Sequence, residues 1–344
     1  MENQVKIEKL LIESLVKESK ERGKIDKEVE LESIEKLTGD ASSRRYFRLK
    51  TNKDNYVVCL QQPLDKEKDT FIKMQEVFLN SSVAVPKLFD FQIKKGFILE
   101  QDLGDRTLLK HLSSLQNREE EKKAYVKALE ELIKIHSIEK SNFSGAPFSS
   151  LFFDEEKLFK EVLFTKSYLI NGLFNQSLSE QQEKVLESSF IKICQLIASK
   201  KMVVCHRDYH SRNIMVVNGE VVVIDFQDAR MGLPQYDLVS LLEDCYYKVS
   251  RENKHDLKMI YWDNFLQKNC PQESKEEYLR LYDLMTIQRT FKALGSFAYI
   301  YKNRNDIRYL KYIGYAFENL RDVLFRYDDF RDLRVCLSEI YYEY

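Results

Sequence analysis

At 344 residues, with 44% hydrophobic residues and only 10 glycines and 5 prolines, the chain has enough apolar material for two lobes and is neither disordered nor low-complexity. Its 54 Lys and Arg against 55 Asp and Glu leave no global field to draw in nucleic acid or an anionic membrane, so an anionic ligand has to be met by local cations. The six cysteines (59, 194, 205, 245, 270 and 336) are scattered with no CxxC pair, which argues against a disulfide framework or a zinc site. The opening MENQVKIEKLLIESL is amphipathic and unlike a signal peptide, and no apolar run is long enough to span a bilayer. The expectation is a protein of a reducing cytoplasm with no nucleic-acid or membrane partner; its oligomeric state is not legible.

In chain order, Val5, Leu11 and Leu15 recur at helical spacing, which predicts a helix over about residues 3–21. After a polar stretch, ESIEKL, RRYFRLK and NYVVCLQQ are short β-type runs split by TGDASS and TNKDN, the pattern of a three-stranded antiparallel meander. DKEKDTFIKMQEVFLN then sets Phe71, Met74 and Phe78 on one helical face, and PKLFDFQI and GFILE supply two more strands. Beyond DLGDRT the pattern is mostly helical. Tyr125, Leu129, Leu132 and His136 share a face, and further helices are expected near 153–173, 179–200, 235–248, 252–268, 273–300 and 306–327. The exception is MVVCHRD, IMVV and EVVVIDF, three short strands with a hairpin turn at Asn218-Gly219. The fold class is therefore α+β: an N-terminal helical extension (1–32), a small antiparallel-sheet lobe (33–102) and a larger, mostly helical lobe (103–344).

The densest chemistry lies in HRDYHSRNIM (206–215) and IDFQDA (224–229). Asp208 and Asn213 stand in H-R-D-x-x-x-x-N, and Asp225 follows a hydrophobic strand. Phosphoryl transfer from ATP needs an acceptor for the substrate hydroxyl's proton, oxygen ligands for Mg²⁺, and cations on the triphosphate. A loop carboxylate beside a loop asparagine, with a second carboxylate brought across by a hairpin, supplies the first two. Four fixed positions at this spacing arise by chance in such a chain only about 0.002 times.

The strand–strand–strand–helix–strand–strand lobe, the HRD…N loop and the DF aspartate resemble the protein-kinase-like superfamily. Two departures separate the chain from protein kinases: TGDASSRR stands where a GxGxxG loop belongs, and the interval from Asp225 to Asp237 is too short for an activation loop. Such shortening resembles the aminoglycoside-phosphotransferase-like small-molecule kinases. Within that group GDASSRRYFR, HRDYHSRN, IDFQDA, YDLVSLLED and QRTFKALGSFA are similar to the bacterial anomeric N-acetylmuramate/N-acetylglucosamine kinases of cell-wall recycling, over about residues 35–320. The resemblance implies a protein-kinase-like two-lobe fold and an ATP- and Mg²⁺-dependent transfer to a small-molecule hydroxyl, most specifically the C1 hydroxyl of an amino sugar. Asp208 then orients the acceptor hydroxyl and takes its proton, and Asn213 and Asp225 hold the metal. Asp237 ties the catalytic loop in place, and His206 is structural. A kinase for another small alcohol (aminoglycoside, choline, ethanolamine or homoserine) and a non-catalytic nucleotide-binding pseudokinase are the alternatives.

Where protein kinases carry a lysine on the third strand, Gln61 aligns, which can donate a hydrogen bond but brings no charge. Strand alternation puts Arg44 with Tyr46 and Arg48, and Arg45 with Phe47 and Leu49. Arg44 is the preferred phosphate cation, backed by the N–H groups of the Gly39–Ser43 turn, including Ser42 and Ser43. Both arginines read equally well as solvated hairpin charges. Glu76 is either that cation's partner or an ordinary exposed helix charge. Adenine is expected beside the backbone from Glu100 through Asp102 to Leu103. On the acceptor side the candidates are His210, Asp228, Asp244, Arg289 and Lys292. The last two share a helix face and favour a neutral or anionic sugar over a polycation, though a surface salt bridge remains an equal reading for them and for Asp244. Glu161 and Tyr168 resemble the family's substrate-lobe helix, with Ser167 in place of a tryptophan.

Overall fold

The computed structural model describes residues 2–37, 44–64, 69–143 and 145–342. A five-stranded antiparallel sheet holds β1 (Leu31–Lys36), β2 (Arg45–Thr51), β3 (Tyr56–Leu60), β4 (Leu88–Gln92) and β5 (Phe97–Gln101), in the order β1-β2-β3-β5-β4. The period-two alternation of these strands divides their side chains between two layers. Phe47, Leu49, Val58, Leu60, Phe97 and Leu99 bury on one face against Ile12, Leu15 and Val16 of α1 (Glu2–Glu21). Cys59 and Ile98 bury on the other with Phe71, Met74 and Phe78 of α2 (Thr70–Asn80), whose first turn is capped by Asp69 accepting from the Ile72 N–H at 3.0 Å. The segment read as a separate extension thus contributes one of the two layers that sandwich the sheet.

The remainder is mostly helical: α3 (Leu108–Leu112), α4 (Arg118–His136), α5 (Glu155–Thr165), α6 (Glu180–Ala198), then β6 (Val203–Cys205), β7 (Ile214–Val217), β8 (Glu220–Val223) and β9 (Arg230–Gly232). There follow α7 (Gln235–Leu242), α8 (Arg251–Tyr261), which runs through wider π turns into the short α9 (Gln267–Asn269), α10 (Lys275–Arg304), α11 (Ile313–Leu324) and α12 (Arg331–Tyr342). β7 and β8 form the hairpin expected at Asn218-Gly219, both turn residues having positive φ (52° and 83°) as a two-residue type I′ turn requires. β9, which pairs with β6, and α12 were not expected from sequence. The two-lobed α+β architecture matches the sequence reading.

α10 is the axis of the larger lobe, about 45 Å long for its 30 residues. Gly295 lets it approach α5 closely. A Cβ there would lie 2.3 Å from Thr165 Oγ1, and that hydroxyl donates to the Phe291 carbonyl at 3.0 Å. Through this contact the helix bearing Arg289 and Lys292 is fixed against the rest of the lobe. α7 stops at Leu242, short of the expected 248, because Asp244 turns inward and its carboxylate accepts from both the N–H and the hydroxyl of Ser211.

Candidate active site

The loop at 206–213 is held by buried acids. Asp237, on the first turn of α7 and fully buried, accepts from the backbone N–H of His206 and, at 2.9 Å, from that of Arg207. The two donors hold Arg207 at φ 84°, a left-handed conformation a non-glycine residue keeps only when its surroundings over-determine it. His136 Nε2 lies 3.3 Å from the same carboxylate, and its Nδ1 meets the Tyr261 hydroxyl. This support was not foreseen, since it joins residues 101 and 125 positions apart. His206 is buried, with Nε2 3.0 Å from the Ile224 carbonyl and Nδ1 accepting from the Asp208 N–H, so the ring links the loop to the hairpin's exit.

Asp225 also has positive φ (66°). Its conformation is set by the next residue: Phe226 is fully buried, stacked on Phe71 at 5.1 Å and packed on Phe78 at 5.3 Å. The α2 face seen in the sequence therefore positions the aspartate. Asn213 Nδ2 donates to the Asp208 carbonyl at 3.0 Å and to Asp225 Oδ2 at 3.3 Å, while Asp225 Oδ1 accepts from Gln227 at 2.8 Å. Asp208 and Asn213 on one loop and Asp225 after β8 are thus neighbours.

Two clefts meet here. One, of about 550 Å³, runs beneath the sheet past Tyr46, Val57, Glu100, Asp102 and Met215. The other, of about 610 Å³, lies in the larger lobe among Asp208, His210, Ser240, Tyr246, Arg289 and Lys292. Thr107, Arg212, Asn213 and Asp225 line both. Arg212 is held at this junction by its hydrogen bond to the Tyr309 hydroxyl (3.1 Å) and by the Tyr246 and Tyr309 rings, 4.9 and 5.6 Å away.

In the first cleft Glu100 carries its carboxyl inward, and burial pushes it up to about 7 against the opposing pull of Arg44. Asp102 is bound by Arg48 (2.7 Å), which also pairs with Asp105 at 2.9 Å, so β2 is strapped to the chain leaving β5. Arg48 was not a sequence candidate, although its alternation with Arg44 and Tyr46 placed it on this face. Arg44 lies over the Phe71 ring at 5.4 Å, and Arg45 turns to Glu8 of α1. Gln61 donates to Asp69, the α2 cap, at 2.7 Å. Glu76 is exposed on α2. Ser42 and Ser43 lie outside the described residues.

In the second cleft, Asp208 has Lys292 Nζ and Arg207 Nε at 3.7 Å and Arg289 Nη2 at 3.9 Å. Burial acts to raise its carboxyl, but these cations together hold it well below the usual carboxylate range. His210 is driven down to about 3 by burial and by Arg289 and Arg212, against Asp208, so the ring is neutral; its Nδ1 is buried without a hydrogen-bond partner among the described residues. Two candidates have other contacts. Asp244 lines the cleft, yet its oxygens serve Ser211 and the Tyr246 N–H (2.8 Å), which leaves it supporting the loop; burial pushes its carboxyl up. Asp228 is half exposed, bound to Arg207 at 2.6 Å and away from both clefts, because burial of Phe226 turns the following residues back toward the loop. Glu161 is buried against Gln288 of α10, and Tyr168 packs on Phe164 and Tyr299; neither lines the second cleft.

Residues 33–262 match the family model described as the phosphotransferase enzyme family. The chain is 28% identical over 303 residues, 88% of either protein, to an N-acetylmuramate/N-acetylglucosamine kinase of Neisseria meningitidis serogroup B. It is 29% identical over 309 residues, 88% of this chain and 87% of the relative, to a protein of the same name from Pseudomonas aeruginosa. Among solved structures it is similar to the ADP-bound aminoglycoside phosphotransferase APH(2'')-Ib, with a TM-score of 0.58 at 17% identity, covering 89% of this chain and 98% of that one. A choline/ethanolamine kinase family protein from Mesorhizobium loti aligns with a TM-score of 0.57 at 15% identity, over 89% and 92% of the two chains. These structures share the fold. No helix among the described residues is long and apolar enough to cross a membrane. With two thirds of its length matched by the family model and a kinase-like fold throughout, the chain belongs to the phosphotransferase enzyme family.

Proposed function

We propose that this phosphotransferase is a sugar kinase that moves the γ-phosphoryl group of ATP to the anomeric C1 hydroxyl of N-acetylmuramate or N-acetylglucosamine, in cell-wall recycling. The observation that carries the reading is the meeting of Asp208, Asn213 and Asp225 where the two clefts join. Nucleotide lies under the sheet along Glu100–Leu103, sugar lies among His210, Arg289 and Lys292, and the phosphoryl group crosses between them. Asp208 accepts a hydrogen bond from the sugar hydroxyl and takes its proton as the new P–O bond forms. Its low pKa makes that proton transfer late, which suits a loose transition state and an anomeric hydroxyl more acidic than an ordinary alcohol.

Mg²⁺ fits the donor set. The Asn213 amide nitrogen is taken up by Asp208 and Asp225, leaving its side-chain oxygen beside the Asp225 carboxylate, two hard ligands of the kind that ion takes. When bound it would neutralise phosphate charge. The protein's own part is to fix both ligands, through Phe226 on one side and the Asp237-anchored loop on the other.

The relatives' names support an amino-sugar acceptor, and the charge of the second cleft agrees. Its other carboxylates are engaged, Glu243 in an ion pair with Lys254 at 2.6 Å and Asp244 by hydrogen bonds from Ser211, whereas Arg289 and Lys292 face Asp208. A polycationic aminoglycoside would meet cations there. Assay of ADP release with N-acetylmuramate, N-acetylglucosamine, an aminoglycoside and choline tests this; turnover confined to the last two would refute the sugar assignment.

A further inference from the structure

Three cations approach Asp208, and two of them are engaged elsewhere. Arg207 pairs with Asp228 at 2.6 Å. Arg289 stacks on the Tyr236 ring at 4.8 Å, donates to the Ser240 hydroxyl, and donates to the Arg207 carbonyl at 3.2 Å. Lys292 differs. Its side chain is only 16% exposed, its ammonium makes no hydrogen bond with the described residues, and its nearest acid is Asp208 at 3.7 Å. An ammonium has three donors, and this one lines the second cleft with none of them taken by the described residues, so it is placed to meet a ligand oxygen there. Burial and Arg289 both push its pKa down, the direction expected of a cation awaiting an anion.

On the nucleotide side of the junction the third strand brings no cation. Gln61 stands where a lysine would serve the phosphates and is bonded to Asp69. Of the cations that line that cleft, Arg48 is held by Asp102 and Asp105, and Arg212 is held at the junction by Tyr246 and Tyr309. In-line transfer sets the three equatorial phosphoryl oxygens between Asp208 and the Asn213–Asp225 pair, within reach of a side chain already beside Asp208.

We propose that Lys292 donates to an equatorial oxygen of the transferring phosphoryl group, meeting from the acceptor side the charge that a third-strand lysine meets from the nucleotide side. It does not grip a carboxylate of the sugar. The inference rests on the phosphotransfer reading above and deepens it. As the acceptor oxygen bonds to phosphorus, the bond to the β,γ-bridging oxygen breaks and ADP leaves with that electron pair. The hydroxyl proton passes to Asp208, and Lys292 keeps its own proton throughout.

The test compares Lys292→Met and Lys292→Arg with the unsubstituted protein on neutral N-acetylglucosamine, on acidic N-acetylmuramate, and in ATP hydrolysis without acceptor. Thermal unfolding and ATP affinity serve as controls for folding. Loss of a transition-state donor predicts a fall in kcat of roughly 10²–10³ for Lys292→Met on both sugars, with partial recovery in Lys292→Arg and a parallel fall in hydrolysis. A rise in KM for the acidic sugar alone, with hydrolysis intact, overturns the proposal, as does no effect. A protein that neither phosphorylates a sugar nor hydrolyses ATP overturns the phosphotransfer reading and this proposal with it.

Discussion

The clefts that meet at Asn213 and Asp225 follow opposite electrostatic plans. On the nucleotide side, Arg48 is neutralised by two aspartates and Gln61 brings no charge; the acid that faces inward, Glu100, is pushed up to about 7 by burial. On the acceptor side, three cations surround Asp208 and hold its carboxyl far below the usual range. Burial outweighs the one cation that acts on Glu100, whereas three cations outweigh burial at Asp208. The cleft under the sheet therefore offers mainly shape and backbone, while positive charge is gathered at the end remote from the sheet. In the proposed reading, a nucleotide bound under the sheet would extend its phosphates toward positive potential.

The sharpest way to break this contrast is Asp208→Ala. It should lower turnover by roughly 10²–10⁴ while leaving ATP affinity within a few-fold, as read by steady-state kinetics and calorimetry. Next comes Asp237→Ala, which strands the N–H groups of His206 and Arg207 in a dry interior. Thermal or urea unfolding should register a loss of about 2–4 kcal/mol, with activity falling because the loop is no longer pinned. Gly295→Val drives a side chain into Thr165 and should cost about 1–3 kcal/mol, loosening the helix that carries Arg289 and Lys292.

A gentler probe addresses the nucleotide side. The Glu100 carboxyl rises from an ordinary 4.5 to about 7 on folding, so the folded protein holds an extra proton between those values. Its stability therefore declines as pH rises across that window, and Glu100→Gln removes the decline. Without nucleotide, the variant should be roughly 1–2 kcal/mol more stable than the parent at pH 8, the two converging near pH 4.5. The smallest effect is expected at Asp228→Ala, which removes an exposed partner of Arg207. Turnover should stay within about three-fold, and a larger fall would return Asp228 to the substrate contacts.

Much of the architecture was legible because it is encoded locally. The meander shows in alternation, the hairpin in Asn218-Gly219, and α2 in the spacing of Phe71, Met74 and Phe78. The loop residues Asp208 and Asn213 are five apart, so their proximity needed no tertiary information. What escaped depends on long-range partners. Nothing near Asp244 announces that Ser211 will occupy it, and Asp228 resembles any acid after a DF pair until Phe226 is seen buried. The role of α1 as a layer on the sheet could not be read from its own amphipathicity, which fits a docked helix and a separate one equally well. α12 is different: Leu333, Cys336, Leu337 and Ile340 carry helical spacing and all are buried, so that helix could have been found.

The most direct measurement is ADP release with ATP and Mg²⁺ on N-acetylmuramate and N-acetylglucosamine, with product analysis by phosphorus NMR and Asp208→Ala alongside. Turnover giving a C1 phosphate, and its loss in the variant, is the predicted result. ATP binding with no transfer to either sugar, or transfer that survives in Asp208→Ala, would contradict the assignment.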